Sequence, residues 1–147
     1  MVVTFGAPYE GQVFVTSDGT QLNVTGQVSG LPPNSSHGIH VHQFGDLGNQ
    51  CMNAGPHYNP QGTEHGGPSS TVRHPGDFGN LETDKNGTAS IHLLIKQSSS
   101  SSDELLGRAV VVHAGRDDLG TGKDNGSRTT GNSGARLTCA VLGLAQT

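Results

Sequence analysis

The stretch His40–Asp77 constrains the fold of this chain more than any other part of its sequence. His40 and His42 alternate with Ile39 and Val41, which is the pattern of a strand whose successive side chains point to opposite faces. Such a strand places two imidazoles together on one face and two aliphatic side chains on the core face. Because imidazole binds copper and zinc well, this arrangement predicts part of a metal site.

The rest of the stretch, residues 45–76, predicts one long loop. Glycine, proline and asparagine interrupt every regular period in it, while His57, His65, His74 and Asp77 recur along it and at its end. A long loop without secondary structure of its own is usually functional. We therefore expect metal binding to order this loop.

Short alternating segments account for most of the remaining chain. The pairs Asp18-Gly19 and Asn86-Gly87 separate such segments and are strong hairpin signals. The run Ala109–Val112 predicts a strand buried on both faces, and no segment has convincing helical periodicity. Eight strands are predicted, over residues 2–5, 12–16, 21–29, 37–44, 78–83, 89–95, 108–113 and 137–144.

Eight short strands joined by turns predict an all-β fold, an immunoglobulin-like Greek-key β-sandwich or flattened barrel. Two long loops, residues 45–76 and 114–135, would carry its function, and the polar run 97–102 is expected to be flexible. A length of 147 residues predicts one domain, 1–147.

Composition narrows the partners and leaves the compartment open. A net charge of −4 argues against nucleic acid as a partner, and no run of apolar residues is long enough to predict a membrane span. No signal peptide is visible, so we expect either a cytoplasmic protein or a mature secreted one. Four Asn-X-Ser/Thr sequons favour secretion slightly: Asn23, Asn34, Asn86 and Asn125.

Six motifs, taken in order, resemble the copper/zinc superoxide dismutase family. They are GIHVHQFGD at 38–46, GPHYNP at 55–60, HGGP at 65–68, RHPGDFGN at 73–80, GRAVVVHAGRDDLG at 107–120 and GNSGARLTC at 131–139. Several of these phrases look more like the secreted branch of the family than the cytoplasmic one. The resemblance favours an extracellular protein, with a cytoplasmic one as the alternative.

The resemblance implies two metal sites that share a ligand. Copper would be bound by His40, His42, His57 and His113, and zinc by His57, His65, His74 and Asp77. Imidazole nitrogens suit copper(II), and three nitrogens with one carboxylate suit tetrahedral zinc. A bridging His57 would lose both ring protons, which is plausible only between two cations.

The resemblance implies roles for four further residues. Asp117 would hold His40 and His65 through hydrogen bonds, and Arg136 would dock superoxide beside copper. Cys51 and Cys139 would form a disulfide. Each has a simpler alternative: Asp117 could belong to a turn, Arg136 could be solvated, and the cysteines could be free buried thiols.

By resemblance, the activity is dismutation of superoxide to oxygen and hydrogen peroxide. A copper ion would be alternately reduced and oxidised, while zinc orders the site and shares the bridging His57, which, with Arg136, would be a catalytic residue. The family also implies a homodimer through Phe44, Gly45 and Leu142–Leu144, and loading by a copper chaperone. The family's glutamate pair is absent, however, and Thr129 stands where a lysine is expected.

A second class of function is a metal-binding module without turnover, such as the dismutase-like domain of a copper chaperone. Such a module should lack a copper-binding histidine or the docking arginine, and this chain keeps both. All four zinc positions are filled, which also disfavours a copper-only relative.

Overall fold

The computed structural model describes residues 1–97 and 102–146. Its strands are β1 (Val2–Phe5), β2 (Glu10–Ser17), β3 (Gln21–Ser29), β4 (Ser36–His42), β5 (Asp77–Glu82), β6 (Ala89–Lys96), β7 (Ala109–His113) and β8 (Arg136–Val141). They form two four-stranded antiparallel sheets, ordered β1-β2-β3-β6 and β5-β4-β7-β8. The all-β sandwich predicted from the sequence is therefore confirmed.

The core lies between the two sheets and follows the alternation of the strands. In the first sheet, Val13 and Val15 of β2 face inward beside Val24 of β3. In the second sheet, Ile39 and Val41 of β4 are fully buried in the same cluster. The histidines that alternate with them therefore lie on the other face of β4, under the long loops.

Strand β7 is buried along its whole length, as predicted from its continuous apolar run. It lies between β4 and β8, so both of its edges are paired. This central position brings His113, at the end of β7, next to the histidines of β4.

The strand boundaries and the second loop differ from the prediction. Strand β4 ends at His42 rather than at Phe44, and β8 ends at Val141 rather than at Leu144. The loop between β7 and β8 contains a short helix, α1 (Asn125–Thr129), in which Asp124 accepts a hydrogen bond from the backbone N–H of Ser127. This helix spans little more than one turn, which is too short to show a helical period in the sequence.

Three other segments complete the description. Two 3-10 helices cover Met52–Ala54 and Ser102–Leu105. Of the serine run that was expected to be a flexible loop, residues 98–101 lie outside the described residues. None of the helices in the described ranges is long and apolar enough to cross a membrane.

Candidate metal centre

Two groups of metal-binding side chains lie together under the long loops, and they share His57. In each group the candidate ligand atoms lie within 4.8 Å of one another, and every residue is buried. The first group is His40, His42, His57 and His113; the second is His57, His65, His74 and Asp77. The structure thus brings together the residues to which the sequence assigned copper and zinc.

Three strands, β4, β5 and β7, and the first loop supply these side chains. His40 and His42 come from β4, and His40 is paired in register with Asp77, the first residue of β5. His57 is held beside β4 by an isolated bridge to His42. Because these positions are far apart in the chain, the sheet register assembles the centre.

In three of the histidines, one ring nitrogen donates a hydrogen bond to a backbone carbonyl outside the group. The other ring nitrogen therefore faces the metal centre. The Nδ1 of His42 donates to the Gly55 carbonyl at 2.8 Å, and the Nδ1 of His113 donates to the Gly134 carbonyl at 3.0 Å. In the second group, the Nε2 of His74 donates to the Thr63 carbonyl at 2.9 Å. Each ring therefore keeps its other nitrogen unprotonated and free to bind a metal.

Asp117 orients two histidine rings at once through hydrogen bonds. Its two oxygens accept hydrogen bonds from the Nε2 atoms of His40 and His65, both at 2.8 Å. Asp117 is fully buried, and Asn80 holds its main chain through two hydrogen bonds. One carboxylate thus connects a histidine of the first group to a histidine of the second.

His57 is the exception, because neither of its ring nitrogens is taken up outside the groups. Its Nδ1 lies 3.2 Å from both the Nδ1 of His74 and Oδ1 of Asp77. Its Nε2 is buried without a hydrogen-bond partner among the described residues. One nitrogen therefore faces each group, which is the arrangement that a bridging ligand requires.

Several buried polar atoms of the two groups make no hydrogen bond. Whether bound metals would satisfy these atoms is a test of whether metals fit there. Oδ1 of Asp77 lies 3.0 to 3.4 Å from ring nitrogens of His57, His65 and His74, yet makes no hydrogen bond of suitable geometry. Leaving such atoms unpaired costs roughly 1–3 kcal/mol each. The atoms left in this way are His40 Nδ1, His57 Nε2, His65 Nδ1 and Asp77 Oδ1, and bound metal ions would satisfy them.

The electrostatics of the centre favour neutral imidazoles facing the first group. Burial, followed by the nearby charge of His57, lowers the pKa of His40 to about 3. Burial also lowers the pKa of His113 to about 4 and that of His42. Neutral imidazole is the form that binds a metal.

The second group has the opposite character because it contains a carboxylate. Burial alone would lower the pKa of His65, but its hydrogen bond to Asp117 and the nearby Asp77 outweigh burial and raise it to about 9. Burial would raise the pKa of Asp77, yet the three surrounding imidazoles hold it far below its usual range. This carboxylate therefore stays ionised, as zinc binding requires.

A cavity of about 600 Å³ opens onto the first group. His42, His57 and His113 line it together with Arg136. The guanidinium of Arg136 donates to the carbonyls of Cys51 and Gly55, at 2.9 and 2.7 Å. Arg136 is therefore held in the cavity by the first loop rather than free in solvent.

Cys51 and Cys139 form a disulfide, with Cα atoms 6.0 Å apart. The bond ties the first loop to β8, three residues beyond Arg136, and so holds in place the Cys51 carbonyl that Arg136 uses. The predicted disulfide is confirmed, and the alternative of two free thiols is wrong.

Sequence reasoning missed two residues that position this centre, Asn80 and Gly131. Gly131 has φ of +75°, and an added Cβ would lie 1.9 Å from Oδ1 of Asp117. Both residues fall inside the family motifs, but no local pattern relates them to Asp117. The three basic residues of the second loop do not line the cavity of Arg136: Arg128 lines a separate cavity beside His57 and His74, and Arg116 and Lys123 line neither.

The fold and these two linked groups define a β-sandwich whose buried histidines and Asp77 could hold metal ions. A family model described as copper/zinc superoxide dismutase matches residues 9–142. The chain belongs to the copper/zinc superoxide dismutase family, whose members are oxidoreductases, and the predicted function of superoxide dismutation is confirmed at this level.

Individual relatives agree with this family. The chain is 47% identical over 138 residues to an extracellular copper/zinc superoxide dismutase of Schistosoma mansoni, covering 93% of this chain and 75% of the relative. It is 43% identical over 148 residues to a copper/zinc superoxide dismutase of Paramecium bursaria Chlorella virus 1, covering 99% and 78%. A crystal structure of the clock protein EA4 superimposes with a TM-score of 0.87 at 38% identity, covering 98% of this chain and 94% of that one.

Proposed function

We propose that His40, His42, His57 and His113 bind copper, that His57, His65, His74 and Asp77 bind zinc, and that Arg136 docks superoxide. The observation that carries this proposal is the environment of His57. Its two nitrogens face two different groups, and the residue also lines the cavity that contains Arg136. When bound, copper supplies one-electron redox chemistry, which zinc lacks.

The chain contributes binding, orientation and proton transfer. Superoxide is a small anion, and the guanidinium of Arg136 offers it a fixed positive charge and hydrogen-bond donors. Hydrogen bonds to Cys51 and Gly55 hold that guanidinium, so little ordering remains to be done when the anion enters. Nε2 of His57 has no partner among the described residues, and His57 lines the same cavity, so this nitrogen is the atom that can hold a proton and deliver it to peroxide.

Replacement of Arg136 tests this function. We expect Arg136→Gln to lower kcat/KM for superoxide by roughly 10- to 100-fold, because the anion loses its local attraction. Copper and zinc content should stay near one of each per chain, and Arg136→Lys should recover part of the rate and of its salt dependence. The assay uses metal-loaded full chain with elemental analysis of the same sample.

Arg128→Gln is the matched control, because it removes a guanidinium from the neighbouring cavity. Equal rates in the wild type and Arg136→Gln would overturn the docking role. A fully loaded wild type that does not dismute superoxide would favour the alternative, a metal-binding module without turnover.

We propose further that the protein is secreted and works as a homodimer. The extracellular relative supports secretion, and detection of the natural protein only inside cells would contradict it. Loading by a copper chaperone stays a prediction, to be tested by the copper content of protein made with and without such a chaperone.

A further inference from the structure

The outer face of the β1-β2-β3-β6 sheet carries two exposed apolar side chains on the side of the molecule away from the metal ligands. Phe14 of β2 is 39% exposed, and Leu94 of β6 is 62% exposed. Both point away from the core, since the residues beside them, Val13, Val15 and Ile95, are buried. Covering such an apolar side chain removes its surface from water, which is favourable.

Asn23, in the middle strand β3, lies between these two side chains. It is paired in register with Leu94 on one side and with Thr16 on the other. Thr25, two residues further along the same face, is paired with Phe14. Diagonal neighbours on a sheet face are close enough for an aromatic side chain to contribute to one surface.

The local sequence orients Asn23 outward and places it in a glycosylation sequon. Asn23-Val24-Thr25 is an Asn-X-Thr sequon, and Val24 is fully buried, so the two polar side chains face the solvent. A depression of about 220 Å³ beside Asn23 is lined by Leu94 and by polar side chains, among them Thr16 and Gln21. An apolar wall with a polar rim suits a sugar ring, which has C–H faces and polar edges.

The other three sequons lie in different surroundings. Asn34 has φ of +51° in a turn, Asn86 lies in the turn between β5 and β6, and Asn125 begins helix α1. Only Asn23, among the sequons of the described residues, projects from the middle of a strand face.

We propose that Asn23 carries an N-linked glycan whose first N-acetylglucosamine lies in this depression and covers Leu94. The side-chain amide nitrogen of Asn23 forms a bond to C1 of the sugar. The bond from C1 to a lipid-linked diphosphate breaks, the diphosphate lipid leaves, and the amide loses one proton. The proposal rests on the secretion proposed above, because that donor is available in the secretory pathway.

Peptide mapping of the full chain, secreted from eukaryotic cells behind a leader, tests the attachment. Amidase release of the glycans in heavy-oxygen water converts each glycosylated asparagine to a labelled aspartate. We expect the label at Asn23 and its loss in Thr25→Ala. An unlabelled Asn23 in folded, secreted protein would overturn the proposal.

Thermal unfolding tests the contact between sugar and sheet. Protein trimmed to a single sugar per site should keep a Tm about 2–4 °C above that of Asn23→Gln, whereas Asn34→Gln should match the wild type. Leu94→Ser should abolish the difference between the sugar-bearing and Asn23→Gln forms. Equal Tm values for the trimmed protein and Asn23→Gln would overturn the packing.

Dismutase activity of the same samples separates this proposal from the proposed function. Asn23 lies in the sheet that carries no metal ligand, so Asn23→Gln should retain wild-type activity. Inactive protein with a labelled Asn23 would contradict the proposed function and leave the glycan established.

Discussion

At the scale of single residues, His57 differs from the other histidines of the centre in how it uses its ring nitrogens. The others each donate one ring N–H to a carbonyl or to Asp117, which leaves one nitrogen for a metal. His57 leaves both. The difference between a terminal and a bridging ligand therefore lies in the hydrogen bonds around the rings rather than in residue type.

Asp117 depends in turn on a glycine that leaves room for it. An added Cβ at Gly131 would also approach Nε2 of His65 to 2.6 Å, so any side chain there would displace the bond between Asp117 and His65. The glycine is required by this close approach as well as by its positive φ.

We expect Gly131→Ala to weaken zinc binding by about 10- to 100-fold, the usual effect of disturbing a partner of a metal ligand. Zinc affinity can be measured by competition with a chelating dye. Gly134→Ala is the matched control: its φ of +76° imposes the same backbone strain, but nothing lies within 4 Å of the added Cβ. Equal losses of zinc affinity in both variants would mean that strain alone, and not contact with Asp117, is responsible.

At the scale of elements, the centre joins strand β4 to two loops that have little regular structure. The guanidinium of Arg108, just before β7, stacks on the ring of Tyr58 at 3.7 Å and donates to the Gln43 carbonyl. The disulfide closes a loop with a sequence separation of 88, for which chain entropy predicts roughly 4–5 kcal/mol of stabilisation. A covalent contact and a stacking contact thus hold the first loop where its ligands are needed.

Metal-free protein should become less stable as the pH falls from 7 to 5. The pKa values of His40 and His113 are lowered to about 3 and about 4 in the folded chain, below the ordinary 6.5. Below pH 6.5 the unfolded chain therefore takes up protons that the folded chain does not. In the limit each such histidine costs about 1.4 kcal/mol per pH unit.

Burial lowers the pKa values of His42 and His57 as well, so these two histidines act in the same window and in the same direction. Three other groups of the centre act outside this window. The raised pKa of His65 gives a contribution that is complete below pH 6.5 and is lost as the pH rises through about 9. The lowered pKa values of Asp77 and Asp117 matter only below their ordinary range near 4.

Thermal unfolding at pH 7 and pH 5 measures the effect. The fall in Tm should be smaller with zinc and copper bound, since the metals hold the same nitrogens unprotonated. A metal-free protein with equal Tm at both values would contradict the burial of these imidazoles.

At the scale of the whole molecule, a group of exposed apolar side chains lies on the first loop and the end of β8. Phe44 is 50% exposed and Leu144 83% exposed. An added Cβ on Gly45 would lie 3.6 Å from a methyl group of Val141, so the two segments are adjacent. The expectation that Leu142 belongs to the dimer interface is wrong, because this side chain is fully buried in the core.

We expect the wild-type chain to be a dimer through this surface. Phe44→Lys with Leu144→Lys should give a monomer in sedimentation, because two cations would have to be buried in the contact. Leu94→Lys, on the other sheet, is the control and should stay dimeric. A wild-type monomer at micromolar concentration would contradict the proposed homodimer.

A single unfolding transition would support the one domain predicted for residues 1–147.

The sequence alone determined the strand pattern and the chemical identity of the candidate ligands. Strand alternation, turn pairs and residue type are local properties, and they suffice to assign Ile39 and Val41 to one face of a strand and the neighbouring histidines to the other. The burial of Leu142 and the short helix at Asn125–Thr129 escaped this reasoning, since neither follows from a local period.

Tertiary structure decided which atoms face one another. The bonds of Asp117 to His40 and His65 span sequence separations of 77 and 52, and the room for Asp117 depends on Gly131. Such relations arise from sheet register and loop closure, which no stretch of sequence contains by itself. The chain therefore specifies its ligands locally, whereas the packing of distant segments assigns each ring nitrogen to its partner.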